Sequence, residues 1–116
     1  MGTDGISHDP QRAPGLYAIT TDEAGERSFT YWRGQSAARH MFDDGFEALE
    51  GYDVVYLSAI TLAILSPAQR EGLQAWLTQF RAQGGRVAFD SNYRPKLWES
   101  REIAQAVVAA FWGITD

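Results

Sequence analysis

The chain has no cysteine, so neither a disulfide framework nor thiolate chemistry is available to it. It has only two histidines, His8 and His40, and neither has a partner at metal-ligand spacing. It has no excess of basic residues. A formal net charge of −5 leaves no electrostatic footprint for nucleic acid, which is not expected as a partner. An anionic substrate must then be held by local positive charge and not by the overall field. No hydrophobic run is long enough to span a bilayer: the longest mostly apolar stretch, Val54–Leu65, is short and contains Ser58 and Thr61. The N-terminus has no apolar signal core. These absences point to a cytoplasmic protein with no membrane partner. There is also no Gly-Lys-Ser/Thr of the phosphate-loop type.

What is present suits a folded domain. The chain has 116 residues, 45% of them hydrophobic and 13% aromatic, the composition of a single globular domain or a piece of one. Met1–Ala13 is polar and rich in Gly, Asp and Pro, and reads as a flexible lead-in. Residues 14–35 read as a β-hairpin. Leu16–Thr20 and Ser28–Arg33 are rich in β-formers and flank a polar segment that ends in glycine. The simplest register pairs Asp22 with Glu26 and leaves Glu23-Ala24-Gly25 as a three-residue loop with Gly25 in the left-handed region. Tyr17 then stands opposite Tyr31, and alternation puts Ile19, Phe29 and Arg33 on the same face. That face is either an aromatic cross-strand pair that only stabilises the sheet or a surface of two phenols and a guanidinium.

Residues 36–116 read as α/β. Ser36 predicts a cap for a short helix Ala37–Phe42, and Phe46–Leu49 predicts a further turn ending at Gly51. Asp53–Ser58 is a continuous apolar run suited to a central parallel strand. Ser66-Pro67 predicts a helix start, with the helix running to about Gln83 and an apolar stripe of Leu73, Trp76, Leu77 and Phe80. Gly84-Gly85 ends it. Arg86–Asp90 predicts a second parallel strand, completing a βαβ unit. Ser91–Trp98 is then the loop at the carboxyl end of that strand, where open α/β sheets bind ligands. A last helix is predicted from about Ser100 to Trp112, with Ile103, Val107, Val108 and Phe111 on one side.

Three segments, PGLYAITTDEAGERSFTYWR (Pro14–Arg33), SAITLAILSP (Ser58–Pro67) and FDSNYRPKLW (Phe89–Trp98), resemble segments of the bacterial 2-keto-3-deoxygluconate kinases, in the same order and at similar spacing. These enzymes belong to the ribokinase-like carbohydrate kinases, and the likeness covers almost the whole chain. They are about three hundred residues long, so the chain resembles a middle portion of one, and Met1 is expected to be an artificial or gene-model start. The resemblance implies a partial ribokinase-like α/β fold, with a β-hairpin lid and a βαβ unit of a parallel sheet with flanking helices. For the full-length parent it implies transfer of the ATP γ-phosphate to the sugar acid, with Mg²⁺; neither ATP nor Mg²⁺ is expected to bind tightly to this chain.

The resemblance also implies site residues. Tyr17, Tyr31 and Arg33 match positions that contact the sugar acid, and Arg33 is the sharpest candidate because a planar guanidinium can hold a carboxylate through two parallel bonds. Ile60 matches a position that packs on the sugar; by itself it reads as core. Arg94 is assigned to the substrate side of the cleft. Asp90 and Asn92 are placed near the sugar and the phosphate path, or they bond local backbone and shape the loop. Trp32 and Trp98 match motif positions and read as packing. The family's base and anion hole come from a Gly-Ala-Gly-Asp segment, and no Gly-x-Gly-Asp occurs among the 116 residues. No catalytic residue is therefore expected in this chain. The alternatives are a non-enzymatic sugar-acid-binding or partner-completing module, and a truncated gene product with no independent role. Exposed sheet edges or the lid predict a homo-oligomer and low stability.

Overall fold

In a computed structural model, described for residues 2–116, the chain forms two compact units, residues 2–41 and residues 42–116. The first is built on the hairpin. Strands β1 (Leu16–Thr21) and β2 (Arg27–Trp32) pair antiparallel in the expected register, with Tyr17 opposite Tyr31 and Ile19 opposite Phe29. Asp22 N–H donates to Glu26 O (3.0 Å), and Gly25 N–H donates to Asp22 O (3.1 Å). Gly25 has φ +82°, a conformation costly for any residue with a Cβ. The Asp22 carboxylate accepts from the N–H groups of Ala24 and Glu26, so the loop is closed by a side chain as well as by backbone. Every residue of both strands is exposed. In the lead-in, the Asp9 carboxylate accepts from Gln11 N–H, Arg12 N–H and the Arg12 guanidinium, and these bonds hold its pKa below the usual range.

After the hairpin the expected short helix is a 3₁₀ turn, Ala37–His40, and Ser36 makes no side-chain cap bond to it. A second 3₁₀ turn, Glu47–Leu49, stands where the next helical turn was expected.

The second unit holds β3 (Val54–Ser58), α1 (Ala59–Ile64), α2 (Pro67–Ala82), β4 (Arg86–Asp90) and α3 (Arg101–Trp112). β3 and β4 pair parallel, from Val54 with Arg86 to Ser58 with Asp90. Alternation gives the pair two different faces. Val55, Leu57 and Val87 are buried in a core with Leu62, Leu73, Leu77, Ala104 and Phe111. Val54, Tyr56 and Ala88, on the other face, are exposed.

Helix α1 was not expected from the sequence. Ser58 starts it: its hydroxyl accepts from Thr61 N–H (3.4 Å), and the Thr61 hydroxyl accepts from Ser58 N–H (3.4 Å). Six residues with Thr61 as their one polar side chain are too few to show a helical period, which is why the sequence reads as an apolar run. α2 starts as expected at Ser66-Pro67. Gln69 completes a reciprocal cap, its N–H donating to Ser66 Oγ (3.3 Å) and its Oε1 accepting from Ser66 N–H (2.9 Å). At its far end the Phe80 ring occupies the space beside Gly85, where a Cβ would lie 2.3 Å from the ring, so the glycine pair is also a packing device. In α3, Phe111 is buried as expected, but Ile103 is exposed and Ala104 takes its place in the core.

Candidate functional site

The hairpin face carries the first group of candidates. The rings of Tyr17 and Tyr31 lie 6.0 Å apart, Tyr17 and Phe29 6.2 Å, and Phe29 and Tyr31 stack at 6.1 Å. The Arg33 guanidinium carbon stands 4.2 Å from the Tyr31 ring centroid. A guanidinium over a ring face is attracted by the negative face of the ring. Among the described residues no carboxylate is paired with Arg33. The tyrosines are about half exposed, at 57% and 48%, so a ligand can reach both hydroxyls. Arg33 also borders a groove of about 780 Å³ lined by Arg12, Leu16, Trp32, Ser36 and His40. Trp32 is exposed there and is not a packing residue within its unit.

The second group lies at the carboxyl edge of the β3–β4 pair. Asp90 is its centre. Its Oδ1 accepts from Asn92 N–H (3.0 Å), and its Oδ2 accepts from the Tyr56 hydroxyl (3.2 Å). Tyr56 reaches it across the strand pair, since Ser58 is the register partner of Asp90 and Tyr56 lies two residues earlier on the same face. Partial loss of hydration at the hydroxyl, and then its bond to Asp90, push the Tyr56 pKa up. Ile60, in the first turn of α1, is half-buried at the same edge. Arg94 is exposed, and its Nη1 donates only to the neighbouring Tyr93 carbonyl (3.2 Å). Pro95 opens a 3₁₀ turn, Pro95–Leu97, that leads to the buried Trp98. Asp90, Asn92 and Ile60 thus share one edge of the second unit, while Tyr17, Tyr31 and Arg33 share one face of the first.

Two further residues belong to this edge and were not singled out from the sequence. Tyr56 is one. The other is Arg70 on α2, 5% exposed, behind the loop. Its Nε donates to Leu62 O (2.7 Å), and its Nη2 stands 3.0 Å from Glu99 Oε1. The sequence does carry a signal for it. Arg70 lies three residues before Leu73 and seven before Leu77, on the buried stripe of α2, where a charge needs a partner.

A separate cavity of about 530 Å³ opens at the opposite, amino end of the strands, lined by Tyr52, Asp53, Trp76, Phe80 and Gly85. It is remote from every candidate named above in the second unit. Among the described residues no group of three or more His, Asp or Glu side chains could hold a metal ion, and no helix is long and apolar enough to cross a membrane.

Comparison with known proteins bears on this geometry. The 2-dehydro-3-deoxygluconokinase of Escherichia coli K12 is 48% identical over 110 residues, which cover 90% of this chain and 36% of that enzyme. The Dickeya dadantii enzyme of the same name is 44% identical over 119 residues, covering 98% and 38%. The chain therefore spans little more than a third of the length of the curated relatives it matches. Among solved structures, a PfkB family carbohydrate kinase from Listeria grayi superposes with a TM-score of 0.72 at 31% identity, covering 88% of this chain and 32% of that one. The description "pfkB family carbohydrate kinase" matches residues 2–115, so the hairpin and the βαβ unit are a partial ribokinase-like fold, and the chain belongs to the pfkB family of carbohydrate kinases.

Proposed function

We propose that the chain is the sugar-acid-recognition portion of an ATP-dependent 2-keto-3-deoxygluconate kinase, a cytoplasmic enzyme. The observation that carries this reading is the hairpin face, where the Arg33 guanidinium lies over the Tyr31 ring beside Tyr17, with no carboxylate paired to it among the described residues. A sugar acid offers a carboxylate and several hydroxyls. The guanidinium takes the carboxylate through two parallel charge-assisted bonds, and the phenols bond the hydroxyls. The second unit offers its own, separate group of candidates: Arg94 a positive charge, Ile60 an apolar surface, and Asp90 and Asn92 the polar groups of the loop for the sugar and the phosphate path.

In the parent, the γ-phosphate of ATP passes to the terminal hydroxyl, with Mg²⁺. The residues present here do not fit those groups. There is no Gly-x-Gly-Asp, no phosphate-cradling loop and no acidic cluster among the described residues. No catalytic step is therefore assigned to this chain, and the proton-accepting base and the anion hole belong to the remainder of the parent.

Isothermal titration of the 116-residue chain with 2-keto-3-deoxygluconate at millimolar concentration tests the reading. Heat of binding is expected, and Arg33→Ala should weaken it by about tenfold or more, the effect of losing a charge-assisted pair. A coupled assay with ATP should show no turnover. No heat from the wild-type chain, or turnover by it, would overturn the proposal. The presence of the substrate-side residues with no Gly-x-Gly-Asp among the 116 residues also suits a second reading, a non-enzymatic binding or partner-completing module. Binding that survives while addition of the rest of a relative's chain restores no turnover favours that module.

A further inference from the structure

An arginine on the buried stripe of an amphipathic helix is an expensive choice. Leucine would fill the stripe with no charge to desolvate. Arg70 stands there with its Nε and Nη2 both bonded, and their partners belong to two places. One is the C-terminal turn of α1, where Nε donates to Leu62 O (2.7 Å) and Nη2 to Ala63 O (3.4 Å). The other is the end of the Ser91–Trp98 loop. There Nη2 meets Glu99 at 3.0 Å and 3.3 Å from its two oxygens, and the guanidinium carbon stands 5.0 Å from the Trp98 ring centroid.

We infer that Arg70 is a positioning residue of the sugar-acid site, tying α1, which carries Ile60, to the far end of the loop that carries Asn92 and Arg94. The inference rests on the sugar-acid reading given above. α1 has only six residues and cannot hold its own position by helical propensity. At its last turn Leu65 N–H reaches back to Leu62 O (3.3 Å), and the buried guanidinium adds a bond to Leu62 O and one to Ala63 O. The loop is anchored at its near end by Asp90, through Asn92 N–H and the Tyr56 hydroxyl. Between that anchor and Glu99 it has a single 3₁₀ turn. The Trp98 indole N–H is buried without a hydrogen-bond partner, so the ring is held by packing and by the guanidinium beside it. Arg94 stands between the two anchors. Without Arg70 the far one is left to the packing of Trp98 alone, and the distance between Ile60 and Arg94 is set less firmly.

The test uses the 116-residue chain with Arg70→Gln and Glu99→Gln. In Arg70→Gln, amide exchange in residues 92–99 should speed up by about tenfold, with the amides of α2 and β4 at their wild-type rates. Affinity for 2-keto-3-deoxygluconate should fall by about tenfold, because a recognition group displaced by even a small distance loses most of its contribution. Glu99→Gln keeps the bonds to the α1 carbonyls and guards against a variant that does not fold. It should raise exchange in the same segment by about threefold. Exchange that is unchanged, or that rises uniformly over the chain, overturns the inference. Wild-type binding that Arg70→Gln leaves intact also overturns it. No binding by the wild-type chain sinks the sugar-acid reading instead, and the exchange pattern then decides the bracket by itself.

Discussion

Asp116 shows how much one side chain can do. Its Oδ2 accepts from Val87 N–H (2.7 Å), its Oδ1 stands 3.1 Å from Arg81 Nη2, and its own N–H donates to Val87 O (3.1 Å). The bond from Val87, and then the one from Arg81, hold its carboxyl below the ordinary value. A depressed folded pKa stabilises the fold while the group is ionised. The stabilisation is therefore complete above about pH 4 and is lost as pH falls through the lower folded pKa. Glu99 has the same sign, held down first by its own backbone N–H and then by Arg70. Asp116→Asn should accordingly show a smaller drop in melting temperature between neutral pH and pH ~3 than the wild type; equal drops would exclude the role. Nothing in the sequence marks Asp116, because its partners are more than twenty-five positions away. Arg33 and Tyr31 were legible because alternation along a hairpin is a local rule. Arg70 was legible in principle, from its place on the stripe.

Elements divide along the same line. The β1–β2 register and the Ser66-Pro67 start follow from residues within a few positions of one another, and both stand as the sequence predicts. α1 did not declare itself, and Ile103 gave way to Ala104, because those outcomes depend on what lies across the core. The cap of α2 offers a direct measurement. Ser66→Ala removes one half of the reciprocal pair with Gln69 and should cost about 1 kcal/mol. For a unit of this size that is a fall in melting temperature of about 4–8 °C, read by circular dichroism. A change under a degree would mean that Pro67 alone sets the start.

On the scale of the whole molecule, unsatisfied surface is the dominant fact. The described β3–β4 sheet has two strands, both of them edges, and one face carrying Val54 and Tyr56 at 45% and 66% exposure. Parallel strands are normally covered on both faces, and bare edges recruit other chains. The isolated 116-residue chain should therefore show an apparent mass that rises with concentration in sedimentation or size-exclusion measurements. A sharp monomer at every concentration would contradict this.

The strand pairings also set an order of events in time. Mates in the hairpin lie at most 16 positions apart, whereas every mate in the β3–β4 pair lies 32 positions away. A hairpin closes in about 1–10 μs, but a parallel pair must first enclose a helix and bear the loop entropy before any contact rewards it. The Tyr17–Tyr31 face thus exists early, while β3 and β4 wait unpaired for α2 to bring them together. Within residues 14–90 the aromatic face would therefore stand exposed before the core around β3 and β4 has formed.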